Sequence, residues 1–314
     1  MHRKLQKECH LRSRMGRVVA VVTLIVATTI VIGSGPAAAA TYPVNWDALS
    51  AYASGQLNAS PPPGANNWSC RPSAAHPEPV ILVHGITENQ NANWQALAPI
   101  LANNGYCVYT ITYGRLWYTA NAGGIGYTGN SAGELNDFVN QVVSSTRVSR
   151  VKLVGYSEGG FISRLYMKNY GTTHVSTFVG ISPVSMTPPT ISGLLTILNM
   201  VPGWQTIELL GCPACYELST WPAFNALNSP QATFPSVTYT NIITTRDEVA
   251  TPAEAVSYLP AGPNVTNQAV QTFCPNDPVG HVGMPYDVTT VQLVLNALDP
   301  QHSQPVPCGS GLPL

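Results

Sequence analysis

Val151-Lys152-Leu153-Val154-Gly155-Tyr156-Ser157-Glu158-Gly159-Gly160 is the stretch whose reading decides the fold. Its first residues are mostly apolar and read as a buried strand. Gly-x-Ser-x-Gly comes next, and Phe161-Ile162-Ser163-Arg164-Leu165-Tyr166-Met167 then has helical spacing. A serine on a tight strand-to-helix turn holds its hydroxyl above the sheet edge. The small residues two before and two after it let the chain turn that sharply. Alone, Gly-x-Ser-x-Gly is also an ordinary Gly-rich turn. Between a strand and a helix it marks Ser157 as a candidate nucleophile.

Outward from this turn, strands and helices alternate. Residues 80–83 are wholly apolar, as a strand buried on both faces would be, and end in His84-Gly85-Ile86. A helix is predicted over 94–101 and a strand over 106–112. A second helix runs from Asn130 or Ser131 to about Val143, with Glu134 placed to close a capping box on Ser131. Further strands are predicted over 175–181, 237–245 and 270–273, and Asp287 can cap a last helix ending near Leu298. This rhythm predicts an α/β fold with a largely parallel sheet and helices on both faces. Residues 183–236 break it with an apolar segment at 191–201, which reads either as a lid over a site or as core filling.

The first forty residues stand apart. Arg3, Lys4, Lys7, Arg12, Arg14 and Arg17 precede an apolar run over 18–32, Gly33-Ser34-Gly35-Pro36 breaks it, and four alanines follow. This is the pattern of a secretory signal peptide cut after Ala40, the alternative being an uncleaved anchor. Residues 41–314 would then form one large domain with a full core. They carry eight Lys and Arg against fourteen Asp and Glu, a net charge of −6 with no basic cluster, which argues against nucleic acid as a partner. The expected protein is extracellular and monomeric, without a stable membrane span, cofactor or metal. Six cysteines remain after the leader, an even count that reads as three disulfides in an exported chain. Among the possible pairings we take Cys212–Cys215, Cys70–Cys107 and Cys274–Cys308.

A serine hydroxyl needs a base within reach, and the base needs an orienting acid. Three histidines follow Ser157. His174 belongs to the far end of the sheet and His302 to the Pro-rich tail. His281 follows the last predicted strand in a Gly/Pro loop, at the edge where Ser157 stands. Of the acids between them, Asp247 directly follows a predicted strand, with Glu248 the runner-up and Asp277 too close to His281 in sequence. The oxyanion needs backbone N–H donors, for which Glu158, after the serine, and Ile86, after the first strand, are the candidates. His84 precedes Ser157 and is expected to order its own loop. Gly124-Ile125-Gly126-Tyr127-Thr128-Gly129 matches a dinucleotide fingerprint literally. It lacks the strand before it and the acid after the next strand, so it reads as a flexible loop at the pocket rim.

Val80-Ile81-Leu82-Val83-His84-Gly85-Ile86, Asn93-Trp94, Gly105-Tyr106-Cys107-Val108, Thr112-Tyr113-Gly114, Gly155-Tyr156-Ser157-Glu158-Gly159-Gly160, Cys212-Pro213-Ala214-Cys215, Thr245-Arg246-Asp247-Glu248-Val249-Ala250-Thr251-Pro252 and Gly280-His281-Val282-Gly283-Met284-Pro285-Tyr286-Asp287 occur in this order. The set resembles the secreted actinobacterial lipases of the α/β-hydrolase superfamily, over roughly residues 68–300. The resemblance implies an α/β-hydrolase fold with a lid-like insertion and a triad of Ser157, Asp247 and His281. It also implies an oxyanion hole from the N–H groups of Ile86 and Glu158, and lipid or other ester substrates met at a lipid–water interface. Glu158 departs from the pattern, since many such lipases carry His, Gln or Met there. Two other functions remain open at this level: acyl transfer on the same fold, and a non-catalytic binding protein that keeps it.

Overall fold

Six strands, all parallel, make the sheet: β1 (Val80–Val83), β2 (Val108–Ile111), β3 (Val151–Tyr156), β4 (Val175–Ile181), β5 (Thr238–Ile243) and β6 (Val265–Ala269), in the order β2-β1-β3-β4-β5-β6. The computed structural model describes residues 41–198, 207 and 209–314, and Thr41–Leu314 form one compact unit. The leader expected at 1–40 lies outside the described residues.

The central strands are apolar throughout because both faces of the sheet are covered. Successive side chains of β1 point to opposite faces. Ile81 and Val83 join one buried cluster with Leu135, Val139, Phe161 and Phe178, while Val80 and Leu82 join another with Trp94, Leu97, Val154 and Leu293. The first cluster is closed by helices α4 (Thr128–Thr146) and α5 (Glu158–Tyr170), the second by α3 (Leu97–Asn103) and α11 (Val288–Leu298). Lys152, the one charged residue in β3, sends its Nζ to the Leu298 carbonyl at the end of α11.

The chain leaves β1 for β2 on one side and returns to β3 on the other, with Val83 paired to Gly155. This is a topological switch point, where the loops beyond the two strands part and leave a crevice at their carboxyl ends. Ile86 and Ser157 lie on those two loops.

Several boundaries differ from the sequence reading. The helix expected at 94–101 is two, α2 (Gln90–Trp94) and α3, and Asn89 caps α2 by accepting from Asn91 and Ala92 N–H. Glu134 makes no capping box; its Oε2 accepts from Gly114 N–H at 3.2 Å and α4 begins at Thr128. Val270–Phe273 is a short helix, α10, and the last strand is β6 just before it. Asp287 does cap α11, accepting from Thr290 N–H at 2.8 Å. The disulfides are Cys70–Cys107, Cys212–Cys215 and Cys274–Cys308.

The insertion holds α6 (Ile191–Leu198), α7 (Pro213–Leu218), α8 (Trp221–Asn228) and α9 (Ala253–Ser257) follows β5. The core-filling reading holds for part of the insertion, and residues 199–201 of its apolar segment lie outside the described residues. Ile207, Ala214, Leu218, Phe224 and Leu227 belong to the core cluster of Phe161, while Ile191, Leu209, Tyr216 and Trp221 stay exposed. The buried Arg164 fastens its base, donating to the Ser185 carbonyl, Asn228 Oδ1 and the Ala232 carbonyl, each at 2.7 Å. Among the described residues no helix is long and apolar enough to cross a membrane.

Candidate active site

Ser157 sits between β3 and α5 with φ +52° and ψ −119°, in a region that costs a non-glycine residue about 1–3 kcal/mol. Three bonds hold it there: Ser157 N–H to the Ile181 carbonyl, and Val184 and Gly160 N–H to the Ser157 carbonyl, each at 3.0 Å. The flanking glycines are steric necessities. A Cβ on Gly159 would stand 2.0 Å from the Val83 carbonyl oxygen, and one on Gly155 2.6 Å from the Gly159 oxygen.

The loops after β3, β5 and α10 bring the three residues named for the triad into one hydrogen-bonded chain. His281 Nε2 lies 2.9 Å from Ser157 Oγ, and its Nδ1 lies 2.8 Å from Asp247 Oδ2. Asp247 Oδ1 accepts from Val249 N–H at 3.0 Å and Ala250 N–H at 2.6 Å, so the carboxylate cannot rotate without losing both. Burial raises the Asp247 pKa, but the adjacent imidazole charge and hydrogen bond outweigh it, and the net shift is downward. Burial likewise lowers the His281 pKa, but the Asp247 charge and bond, with Glu248 and Glu88 behind them, move it up. The pair therefore favours an imidazolium facing a carboxylate, which is what a base that has just accepted a proton requires. The net of bonds assigns the resting proton to Nδ1, leaving Nε2 as the acceptor toward Ser157.

Glu248, the runner-up acid, holds the backbone instead: its Oε2 accepts from His281 N–H at 2.9 Å. Asp277 caps its own turn through Val279 N–H and accepts from Thr289 Oγ1. Glu208 lies outside the described residues. His174 bonds the Ser149 carbonyl before β3, and His302 pairs with Asp299 on the surface; neither approaches Ser157. His84 is buried and stacked on Tyr113, with ring centroids 4.3 Å apart. Its Nδ1–H donates to the Gly85 carbonyl at 2.7 Å and its Nε2 accepts from Tyr113 N–H at 3.3 Å, and burial takes its pKa down to about 4.

Among the described residues neither Ile86 N–H nor Glu158 N–H has a protein acceptor, and both residues are buried beside Ser157. The Ile86 loop is fixed by Gly85 N–H donating to Asn93 Oδ1 at 3.0 Å and Thr87 N–H to the Gly123 carbonyl at 2.9 Å. The glycine run that mimicked a nucleotide fingerprint packs against this loop, with Gly124 N–H bonded to the Tyr113 carbonyl at 2.8 Å.

Four contributors were invisible in the sequence. Tyr156 Oη donates to the His281 carbonyl at 3.0 Å, so the base is gripped at both ends of its peptide unit. Asn93 anchors the Ile86 loop and Tyr113 Oη donates to the His84 carbonyl at 2.7 Å. Glu88 is buried near His281, and burial pushes its carboxyl up to about 8 against the downward pull of the imidazole. Glu158 is buried as well; burial holds its carboxyl well above the usual carboxylate range, with Tyr113 pulling down and Glu217 adding to the rise. Neither of its oxygens has a partner at good hydrogen-bond geometry; the Tyr113 side chain is the group within looser reach. Ser157 itself is buried, only 2% exposed.

A six-stranded parallel sheet, a strained serine on the turn after its third strand, and a buried imidazole and carboxylate from later loops define the α/β-hydrolase fold. Residues 77–187 match the sequence model of the lipase (class 2) family. Aspergillus fumigatus lipase B is 19% identical, with a TM-score of 0.56, over 80% of this chain and 58% of its own. This chain thus spans little more than half the length of that lipase. A mature lipase of Bacillus licheniformis is 16% identical (TM-score 0.45), over 63% of this chain and 84% of its own. An α/β-hydrolase enzyme from lagoon-sediment metagenome is 18% identical (TM-score 0.41), over 68% of this chain and 84% of its own. No curated sequence matches the chain significantly.

Proposed function

We propose that this protein is a secreted serine ester hydrolase, a lipase or carboxylesterase acting on acylglycerols or related lipid esters. The observation that carries the reading is the buried chain Asp247–His281–Ser157, with bonds of 2.8 and 2.9 Å. The class 2 lipase match over residues 77–187 supports the substrate class.

In this reading Ser157 Oγ attacks the ester carbonyl while His281 Nε2 takes its proton. The oxyanion collects the N–H groups of Ile86 and Glu158. The tetrahedral adduct then expels the alcohol, which receives the proton from His281, and leaves an acyl-enzyme. Water attacks the acyl-enzyme by the same route, returning the acid and the free serine. Asp247 stays ionised throughout, holding the tautomer and stabilising the imidazolium. The three disulfides support an exported protein, with residues 1–40 as its leader.

A fluorophosphonate probe together with a soluble p-nitrophenyl ester tests the assignment. Wild type should be labelled and turn the ester over, and Ser157→Ala, folded, should do neither. Turnover retained in Ser157→Ala would refute the assignment.

A further inference from the structure

Glu158 is half accounted for. The reaction above uses its backbone N–H and leaves its side chain idle, although that side chain is fully buried next to the nucleophile. Neither carboxyl oxygen has a partner at good hydrogen-bond geometry, the Tyr113 side chain being within looser reach, and no ion pair among the described residues includes it. The titratable groups around it come from four elements and none is a cation. Tyr113, from the loop after β2, has already committed its hydroxyl proton to the His84 carbonyl. Glu217, from α7, is another acid, and it accepts from Thr128 N–H. His84, from the loop after β1, is the neutral ring stacked on the far side of Tyr113. Glu88 on that loop and Glu134 on α4 act on Tyr113, both as acids. On α5 itself Arg164 is turned to Ser185, Asn228 and Ala232.

The carboxyl does touch something specific. A Cβ placed on Gly124 would lie 2.4 Å from Glu158 Oε2, 3.0 Å from Ile86 Cα and 3.3 Å from the Gly85 oxygen. Gly124, at φ +69°, therefore lies beside the Glu158 carboxyl and the Gly85–Ile86 backbone with no room for a side chain between them. Leucine or methionine would fill the space without stranding two oxygens, so packing alone does not account for an acid here.

We propose that the Glu158 side chain is a positioning residue: as a neutral carboxylic acid it fixes, through Gly124, the peptide that presents Ile86 N–H. The proposal rests on the ester-hydrolase reading. Its sign follows from charge. The oxyanion forms on the N–H of this same residue, so a carboxylate there would repel it. Burial raises the pKa of the side chain well above the usual carboxylate range, and the neutral form is lost as pH rises through its ionisation.

The test measures kcat and KM on a soluble p-nitrophenyl ester from pH 6 to 10.5 for wild type, Glu158→Leu and Glu158→Gln, with Tm and fluorophosphonate labelling for each. Glu158→Leu should keep its Tm and lose about tenfold in kcat, with KM changed less than twofold. Glu158→Gln, neutral and of the same shape, should recover kcat to within about threefold at pH 7.5. It should also lack the alkaline fall in kcat that wild type shows. Wild-type rate and profile in Glu158→Leu would overturn the proposal, as would an alkaline limb unchanged in Glu158→Gln. In both cases labelled, active wild type leaves the hydrolase reading standing. Wild type that neither labels nor turns over ester removes that reading and this inference with it.

Discussion

Asp247→Asn should cost about 10⁴ in kcat while leaving the fold intact, and the hydrogen bonds around Asp247 say why. The carboxylate presents Oδ1 to Val249 and Ala250 N–H and Oδ2 to His281 Nδ1. An asparagine can be seated two ways. With its oxygen toward Val249 and Ala250 it keeps two buried bonds; flipped, it sets an NH₂ against two N–H donors. Each lost buried bond costs about 1–3 kcal/mol, so the oxygen stays where Oδ1 was. The NH₂ then faces Nδ1, which must act as the acceptor, and the ring proton moves to Nε2. That proton points at Ser157 Oγ, 2.9 Å away, and the base is blocked. A 10⁴-fold loss corresponds to about 5.5 kcal/mol of transition-state stabilisation. The assay is p-nitrophenyl ester turnover near pH 8, with Tm as the control for folding. Asp247→Ala is a second control, because it strands the Val249 and Ala250 donors and should lower Tm where Asp247→Asn does not. An Asp247→Asn enzyme within tenfold of wild type would refute the tautomer reasoning.

Three further outcomes follow from the same geometry. Glu88 titrates near 8 in the fold and near 4.5 when unfolded, so unfolding releases a proton between those values and stability falls as pH rises across them. Glu88→Gln should remove that slope, gaining little at pH 4.5 and on the order of a few kcal/mol at pH 8 in urea unfolding; an equal gain at both would contradict it. Arg164→Met should cost about 1–3 kcal/mol and lower Tm, because it strands the Ala232 carbonyl while the Ser185 carbonyl keeps Asn228 Nδ2 at 3.2 Å. Removing Cys70–Cys107, which spans 37 residues, should cost about 4 kcal/mol in the same unfolding assay. Removing Cys212–Cys215, which spans 3, should cost less than half that.

What could be read from the sequence tracks burial. Strands β1, β3 and β4 announce themselves because nearly every side chain in them is covered, and the serine turn because its glycines have no steric alternative. β6 was missed because Val-Thr-Asn-Gln-Ala is an edge strand, half exposed, with no apolar run to mark it. The apolar Val270–Phe273 beside it drew the assignment, yet it forms a helical turn that buries Val270. Glu134 fits a capping box by spacing, but Gly114 N–H, twenty residues away, claims its carboxylate. Chain order and strand ends singled out Ser157, Asp247 and His281, because parallel strands deliver their loops to one edge. Tyr156, Asn93, Tyr113 and Glu88 owe their roles to contacts between loops gathered at one edge of the sheet, for which a linear pattern carries no signal.

The insertion and the Ile86 loop are not separate parts of this molecule. Ala214 N–H, at the start of α7, donates to the Ile125 carbonyl at 3.1 Å, and Glu217 on the same helix accepts from Thr128 N–H at 2.7 Å. Tyr118 Oη donates to the Gly211 carbonyl at 2.8 Å. These bonds tie the insertion to the loop of residues 115–128. That loop in turn presses Gly123 and Gly124 on Thr87, Glu88 and Ile86. The insertion is thus joined through that loop to the peptide that carries Ile86. A displacement of α7 must either break the Ala214 and Glu217 bonds or carry the 115–128 loop with it. In the first case the Ile86 loop keeps its Asn93 anchor. In the second, the bonds of Gly123 to Thr87 and Glu88 pass the movement on to the peptide that carries Ile86.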